Sequence, residues 1–385
     1  MSSTLYFDII CGVGVRCSPK FHLQTDSCAV NCAHNLAKNT GEYTVNPRLP
    51  AEWEIQDGVL LAWPHEGTDW SYMLDDVRPV FVDIIRQITC FERVLLTAPD
   101  AASAAEYLTN AGVDLTKVTI CEILNNDTWA RDFGPITVIY NNKPTLLDFG
   151  FNGWGLKFPA NLDNQISRQL KQQGLLLPNL NTIGLIMEGG SLESDGLGTI
   201  LTTSECLLSP NRNPQLDRSE IEQALASLVG AKRVLWLDNG YLAGDDTDSH
   251  IDTLARICPN NTIIYQACTF PLDEHYEPLK LMERELEAFR APDGSAYRLI
   301  PLPWPKARFD EQAHRLPATY ANFLIINGAV LVPTYRDSEN DAVALDSVSH
   351  AFPGREIVGI DCLALLEQHG SLHCVTMQLP QGVLA

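Results

Sequence analysis

Positive charge is scarce in this sequence, which has 27 lysine and arginine residues against 48 aspartate and glutamate residues and a formal net charge of -21. A chain this acidic repels phosphate backbones, so we expect no nucleic-acid partner. The same charge would attract small cations, including a cationic substrate. Acidity also promotes solubility, and the net charge alone favours that simpler explanation.

Long apolar runs are missing too. No stretch of ~18 apolar residues occurs, so we expect no membrane-spanning helix. The first residues, MSSTLYFDII, have no basic region and include Asp8, which argues against a signal peptide. The 11 cysteines are odd in number and scattered, whereas a disulfide framework is typical of small secreted chains. We therefore predict a cytoplasmic protein.

The chain also lacks a glycine-rich phosphate loop, a dinucleotide-binding fingerprint and any linker after residue 47. Residues 1–46 differ from the remainder, because they show little periodicity and include CAVNC, whose cysteine spacing is not standard for zinc. We predict that residues 1–46 form a poorly ordered or atypical extension without a metal site. Residues 47–385 are predicted to be a single domain.

Strand and helix patterns alternate after residue 47. GVLLAWP and RVLLTAP are typical of buried strands, and VRPVFVDIIRQI between them has apolar residues at helical spacing. Turns are predicted at Asn141–Asn142 and at Asn327–Gly328, and GTILTTSECLL is predicted to be one strand. Two or three strands accompany each helix, and the unit repeats. This pattern favours a single closed α/β domain.

Four segments are polar where a plain core would be apolar. They are NNDTWARDFGP with Asp132, MEGGS with Glu188, AGDDTDSHIDTLARI with His250 and Asp252, and GSLHCVTMQ with Cys374. His250 and Asp252 are two residues apart, so in an extended segment they would face the same side. Each segment alone is explained by turns, caps or solvated loops. Together they supply a nucleophile, a base and several carboxylates.

The carboxylates indicate the kind of substrate. Negative charge opposes formation of a thiolate, so these residues suit a neutral amide poorly. A guanidinium is a planar cation whose forked N–H donors match carboxylates bidentately. Two aspartates that hold a guanidinium would leave its central carbon open to a cysteine nucleophile. The residues therefore point to guanidine chemistry, without fixing the reaction.

Five motifs resemble one known family. PAEWEIQDGVLLAWP, WARDFGP, MEGGS, DSHIDTLAR and HGSLHCVTMQ are similar to the agmatine deiminase family of bacteria and plants, which includes bacterial-type peptidylarginine deiminases. The resemblance runs from about residue 47 to the end. It implies a catalytic domain with the fold of a five-bladed α/β propeller, pseudo-fivefold repeats and a site at the central axis.

The resemblance also implies roles for single residues. The family's nucleophile falls on Cys374, its general acid/base on His250 and its active-site glutamate on Glu188. Its guanidinium-binding aspartates fall on Asp132 and Asp252. Family members commonly have glycine where this chain has Ser249, a departure that we interpret as touching the rim of the pocket.

The implied reaction is hydrolysis of agmatine to N-carbamoylputrescine and ammonia through a covalent amidino-cysteine, a step in putrescine and polyamine synthesis. No metal or organic cofactor is expected, and related enzymes suggest a homodimer. Trp129 or Trp154 would wall the methylene chain, and Asp246 or a neighbouring aspartate would meet the distal ammonium. Four alternatives remain open: peptidyl-arginine as substrate, free arginine with Arg131 or Lys157 at its carboxylate, amidino transfer to an amine, and a non-catalytic polyamine-binding propeller.

Overall fold

The computed structural model describes residues 47–385, so the predictions for residues 1–46 lie outside the described residues. Within the described part, no helix is both long enough and apolar enough to cross a membrane.

The strands and helices alternate along the chain, as the sequence predicts. The strands are β1 (Gln56–Ala62), β2 (Arg93–Ala98), β3 (Val118–Glu122), β4 (Ile136–Tyr140), β5 (Lys143–Gly150), β6 (Leu180–Ile186), β7 (Glu193–Ser194), β8 (Thr199–Thr203), β9 (Arg233–Leu237), β10 (Ala255–Cys258), β11 (Thr262–Gln266), β12 (Arg298–Leu302), β13 (Arg308–Phe309), β14 (Arg315–Leu316), β15 (Leu324–Ile326), β16 (Ala329–Thr334), β17 (Glu356–Asp361) and β18 (Met377–Pro380). The helices are α1 (Leu74–Phe91), α2 (Ala101–Asn110), α3 (Ala130–Phe133), α4 (Gly153–Leu156), α5 (Ile166–Gln172), α6 (Ser204–Leu207), α7 (Arg218–Val229), α8 (Ile251–Leu254), α9 (Tyr276–Ala288), α10 (Ser338–Ala351) and α11 (Leu363–Leu366).

Five sheets repeat one topology. In each, a first strand pairs antiparallel with a second, which pairs parallel with a third: β4-β5-β6, β7-β8-β9, β10-β11-β12, β15-β16-β17 and β18-β1-β2, the last extended by β3. The antiparallel pairs β4-β5 and β15-β16 turn at Asn141–Asn142 and Asn327–Gly328, as predicted, and both asparagines of the first turn have positive φ. The repeat confirms the predicted α/β modules.

One element differs from the prediction. GTILTTSECLL is not a single strand, because β8 ends at Thr203 and helix α6 begins at the next residue. The Thr203 side chain accepts a hydrogen bond from the backbone N–H of Cys206 and so caps the helix. Threonine and serine compete in this way with strand pairing, which the apolar pattern alone does not reveal.

The repeat explains how distant residues meet. A short segment lies immediately before the first strand of each sheet, and each of these five segments carries a polar residue of the candidate site. They are Asp132 before β4, Glu188 before β7, Asp252 before β10, Asn322 before β15 and Cys374 before β18. Five equivalent positions in five sheets therefore supply one site.

Candidate active site

An open cavity of about 700 Å³ brings together Cys374, Asp132 and the predicted substrate-binding residues Trp129, Trp154 and Asp246. His250, Asp252 and Glu188 are not among the lining residues, and each is at most 1% exposed. The predicted residues thus divide into a group that faces the cavity and a group that is buried.

Gly190 lies next to both the cavity-lining Asp132 and the buried His250 and Asp252. A Cβ placed on Gly190 would lie 2.6 Å from His250 Nδ1, 2.9 Å from Asp132 Oδ1 and 3.2 Å from Asp252 Oδ2. His250 Nδ1 is itself 3.6 Å from Asp132 Oδ1. The structure therefore places all three side chains around one glycine, whose missing side chain permits their close approach.

Gly190→Ala is expected to lower kcat/KM by about 100-fold, because the added methyl must displace His250 or the carboxylates, and a misplacement of about 1 Å has a cost of that size. Steady-state kinetics of the purified variant measure this. Gly184→Ala is the matched control, since a Cβ there meets no atom within 4 Å. Wild-type kinetics in Gly190→Ala would contradict the placement of these residues at the reacting centre.

The two aspartates have opposite electrostatic settings. Burial, and then the charges of Asp252 and Glu188, raise the pKa of Asp132 well above its usual value, although it accepts hydrogen bonds from Trp154 Nε1 (2.9 Å) and the Gly190 N–H (3.0 Å). Burial also acts to raise the pKa of Asp252, but the hydrogen bond with His373 and nearby positive charge, including that of Arg256, outweigh it, so the pKa is lowered. A cation between the two carboxylates would relieve their repulsion.

Two buried acceptor atoms are unused. Asp252 Oδ1 and His250 Nε2 have no hydrogen-bond partner among residues 47–385. Buried polar atoms without partners are uncommon and call for an explanation. A guanidinium offers several N–H donors in one plane, so it would suit an unpaired carboxylate oxygen here.

Burial favours the neutral forms of both Cys374 and His250. Burial, and then the charges of Asp252 and Asp132, raise the pKa of the Cys374 thiol well above its usual value. Burial lowers the pKa of His250 to about 3, despite Asp252. The Cys374 Sγ donates to Asn322 Oδ1 at 3.3 Å. A neutral imidazole is able to accept the thiol proton, so this pair suits a nucleophile that ionises only when a cation arrives.

Glu188 is paired with a buried arginine. Both of its oxygens accept hydrogen bonds from Arg212 Nε at 2.9 Å, and Arg212 also donates to Asp248 at 2.6 Å. Glu188, Cys206 and His250 each place one candidate ligand atom within 4.8 Å of the others. Because Arg212 occupies both oxygens of Glu188, this donor set does not favour a metal ion.

The segment that carries His250 is not extended, so the same-side argument for an extended segment does not apply. His250 precedes the one-turn helix α8, and Asp252 lies in its first turn. The two side chains nevertheless meet near Gly190. Ser249 has φ of 61°, a conformation that favours glycine, and its side chain donates to Glu205 at 3.0 Å. Ser249 is buried and does not line the cavity, so the interpretation that it touches the rim was wrong.

The aspartates of GDDTDS have separate roles. Asp245 accepts hydrogen bonds from Thr247 Oγ1 (2.6 Å) and the Ser249 N–H (2.7 Å), which makes it a loop cap. Asp248 pairs with Lys157 at 2.6 Å as well as with Arg212. Asp246 lines the cavity, and its Oδ2 lies 3.9 Å from His369 Nδ1.

The structure adds residues that the sequence reasoning missed. Asn322 accepts from the backbone N–H of His373 at 2.9 Å and donates to Asp252 Oδ2 at 3.2 Å, so it joins the segments of the nucleophile and the aspartate. His373 contacts Asp252 directly, and Arg212 holds Glu188. The position of Asn322 directly before the apolar run FLII was an available signal in the sequence.

The sequence and the fold of this chain are similar to those of known deiminases. The family model of the Porphyromonas-type peptidyl-arginine deiminase matches residues 48–380. The agmatine deiminase of Pseudomonas syringae pv. tomato is 33% identical over 86% of this chain and 95% of its own length. An agmatine deiminase from C. jejuni, solved as a cysteine-to-serine variant with substrate bound, is 38% identical with a TM-score of 0.82, covering 89% of this chain and 99% of its own.

A Porphyromonas gingivalis structure provisionally described as an arginine deiminase is 50% identical with a TM-score of 0.83, and the match covers 88% of this chain and all of that one. These likenesses confirm the predicted fold and the family resemblance. The chain belongs to the Porphyromonas-type peptidyl-arginine deiminase family, which residues 48–380 match.

Proposed function

We propose that this protein is an agmatine deiminase, which hydrolyses agmatine to N-carbamoylputrescine and ammonia. The observation that carries the proposal is the wall of the cavity around Cys374. It contains Asp69, Asp127, Asp132, Asp245 and Asp246, and none of its lining residues is lysine or arginine. Agmatine has a guanidinium at one end and an ammonium at the other, so it needs carboxylates at both ends and no partner for a carboxylate.

In the proposed mechanism, Asp132 and Asp252 hold the guanidinium. Its charge favours ionisation of Cys374, whose proton passes to His250. The Cys374 Sγ attacks the guanidinium carbon, and the imidazolium of His250 returns the proton to the departing ammonia. The product of this half-reaction is an amidino-cysteine.

The second half-reaction uses the same groups. His250, neutral again, takes a proton from water as the water oxygen attacks the amidino carbon. The carbon–sulfur bond then breaks, the ureido product leaves, and Cys374 recovers a proton from His250. The proton of the intermediate's hydroxyl group is released as the carbonyl forms, and it converts the ammonia to ammonium. Trp129 and Trp154 would flank the methylene chain, because both rings line the cavity and lie 6.3 Å apart. None of these steps calls for a metal or an organic cofactor.

Free arginine fits the cavity less well. The two cations considered for its carboxylate are engaged elsewhere: Lys157 pairs with Asp248 and donates to the Asp246 carbonyl, and Arg131 donates to Glu52 and Gln378. Neither Arg131 nor Lys157 lines the cavity. An arginine carboxylate would therefore face aspartates with no lysine or arginine among the lining residues to pair with it, which is unfavourable.

Peptidyl-arginine is the second candidate. Phe158 lines the cavity, and it and the neighbouring Leu156 are 37% and 75% exposed, so both could pack against a peptide. A peptide-bound arginine also has no free carboxylate to accommodate.

The deciding experiment offers agmatine, free arginine and a blocked peptidyl-arginine to the purified protein and measures ammonia and the ureido product. We expect turnover of agmatine with a kcat/KM well above that of the two arginine substrates. Preference for either arginine substrate would keep the roles of Cys374 and His250 and overturn the assignment of agmatine. No turnover of any guanidine would overturn the function and favour a polyamine-binding protein.

We further propose that Asp127, which lines the cavity together with Asp246, also meets the distal ammonium and makes agmatine binding sensitive to pH. Burial, and then the charge of Asp69, raise the pKa of Asp127 to about 7. An ammonium binds the carboxylate form, so below this pKa the substrate must first displace a proton. We expect the KM for agmatine to rise as pH falls through about 7. Asp127→Asn should remove this step from the profile of KM against pH, and an unchanged profile would contradict the role.

A further inference from the structure

His373 lies between two buried carboxylates. His373 Nδ1 is 2.7 Å from Asp252 Oδ2, and His373 Nε2 is 2.9 Å from Glu52 Oε1. The side chain is 1% exposed, and His373 is not among the residues that line the cavity. Its neighbour in sequence, Cys374, is the proposed nucleophile. The histidine therefore connects the guanidinium site to a second buried charge cluster.

We propose that His373 is a positioning residue that fixes the Asp252 carboxylate for the guanidinium, an inference that rests on the proposed function. Asp252 Oδ2 is held by His373 Nδ1 and by Asn322 Nδ2, whereas Oδ1 has no partner among the described residues. One oxygen is thus anchored and the other is left for the substrate. A carboxylate held in this way is preorganised, because its rotamer does not have to be selected when the cation binds.

The other ring nitrogen of His373, Nε2, also has close neighbours. Arg256 Nη2 lies 3.1 Å from His373 Nε2 and 2.5 Å from Glu52 Oε2. Arg256 is itself fully buried, is paired with Glu193, and donates to the Phe323 carbonyl at 2.6 Å. Contacts at both ring nitrogens therefore hold the imidazole with its Nδ1 directed at Asp252.

This geometry gives a test that separates positioning from stability. The side-chain amide nitrogen of asparagine reproduces the place of the imidazole Nδ1, and that of glutamine reproduces the place of Nε2. His373→Asn keeps a donor for Asp252 and loses the contact with Glu52. His373→Gln keeps the contact with Glu52 and loses the donor for Asp252.

We expect His373→Gln to lower kcat/KM for agmatine by about 10- to 100-fold, the size of effect seen when the hydrogen-bonding partner of a ligating side chain is removed. KM should rise in this variant, because Asp252 contacts the substrate in the ground state. His373→Asn should retain most of the activity even if its melting temperature falls further than that of His373→Gln. A histidine with a merely structural role would lower the active fraction and leave KM unchanged.

Leu225→Ala is the control for stability, because Leu225 is a buried residue of α7 outside the site; it should lower the melting temperature without altering KM. Equal kinetics in His373→Gln and wild type, or activities that follow melting temperature in all three variants, would overturn the proposal. If the wild-type protein turns over no guanidine, the proposed function fails. In that case a crystal structure of His373→Gln still tests the positioning role of His373. An Asp252 side chain in an unchanged rotamer would overturn that role.

Discussion

Replacing Cys374 by serine is expected to abolish turnover of agmatine, with a loss on the order of 10⁴-fold or more in kcat, as when a covalent nucleophile is removed. The physical reason is that a serine hydroxyl is far harder to ionise than a thiol, and the carboxylates of Asp132 and Asp252 oppose any anion here. The fold should be unaffected, because a hydroxyl is also able to donate to Asn322. Ammonia release under saturating agmatine measures the loss, and circular dichroism checks the fold.

The covalent step has its own readout. Mass spectrometry of protein quenched during turnover should find the amidino adduct on Cys374. Cys90 is the exposed cysteine among the described residues, so Cys90→Ser is the suitable background and the control for nonspecific labelling. Near-normal turnover in Cys374→Ser, or an adduct on another cysteine, would contradict the assignment of the nucleophile.

Replacing His250 by alanine is expected to lower kcat by about 10²- to 10⁴-fold, the usual contribution of general acid–base catalysis. In the proposed mechanism this residue moves a proton in both half-reactions, so the adduct should form slowly and also decay slowly. His350→Ala is the control, since His350 lies exposed on α10 and outside the cavity. A loss of only severalfold in His250→Ala would indicate that another group acts as the base.

The pH dependence adds a second check on His250. Because burial lowers the pKa of His250 to about 3, this histidine stays neutral in the free enzyme across the physiological range. Protonation of His250 should therefore produce no decline in kcat/KM between about pH 5 and pH 8, where an ordinary histidine would titrate. The decline expected near pH 7 belongs to Asp127 and should disappear in Asp127→Asn.

The local pattern of apolar and turn residues predicted single helices and hairpins correctly, but it did not predict where strands and helices begin and end. The apolar spacing of VRPVFVDIIRQI predicted helix α1, and Asn327–Gly328 predicted the β15-β16 hairpin, because each signal depends only on neighbouring residues. The run GTILTTSECLL failed as one strand because the Thr203 hydroxyl caps a helix. The spacing of His250 and Asp252 left open whether their segment is extended, and the structure places them at the one-turn helix α8.

The sequence by itself determined which chemistry is available: a cysteine, a histidine and a set of carboxylates in five separated motifs, whose types indicate a cationic guanidine. Only the tertiary structure decided how they act together. Gly190 brings His250 and the aspartates into contact, Arg212 holds Glu188, and His373 and Asn322 anchor Asp252. The reason is physical. Residue identity fixes charge and reactivity, whereas the pKa and orientation of a buried group depend on burial and on neighbours that come from other sheets.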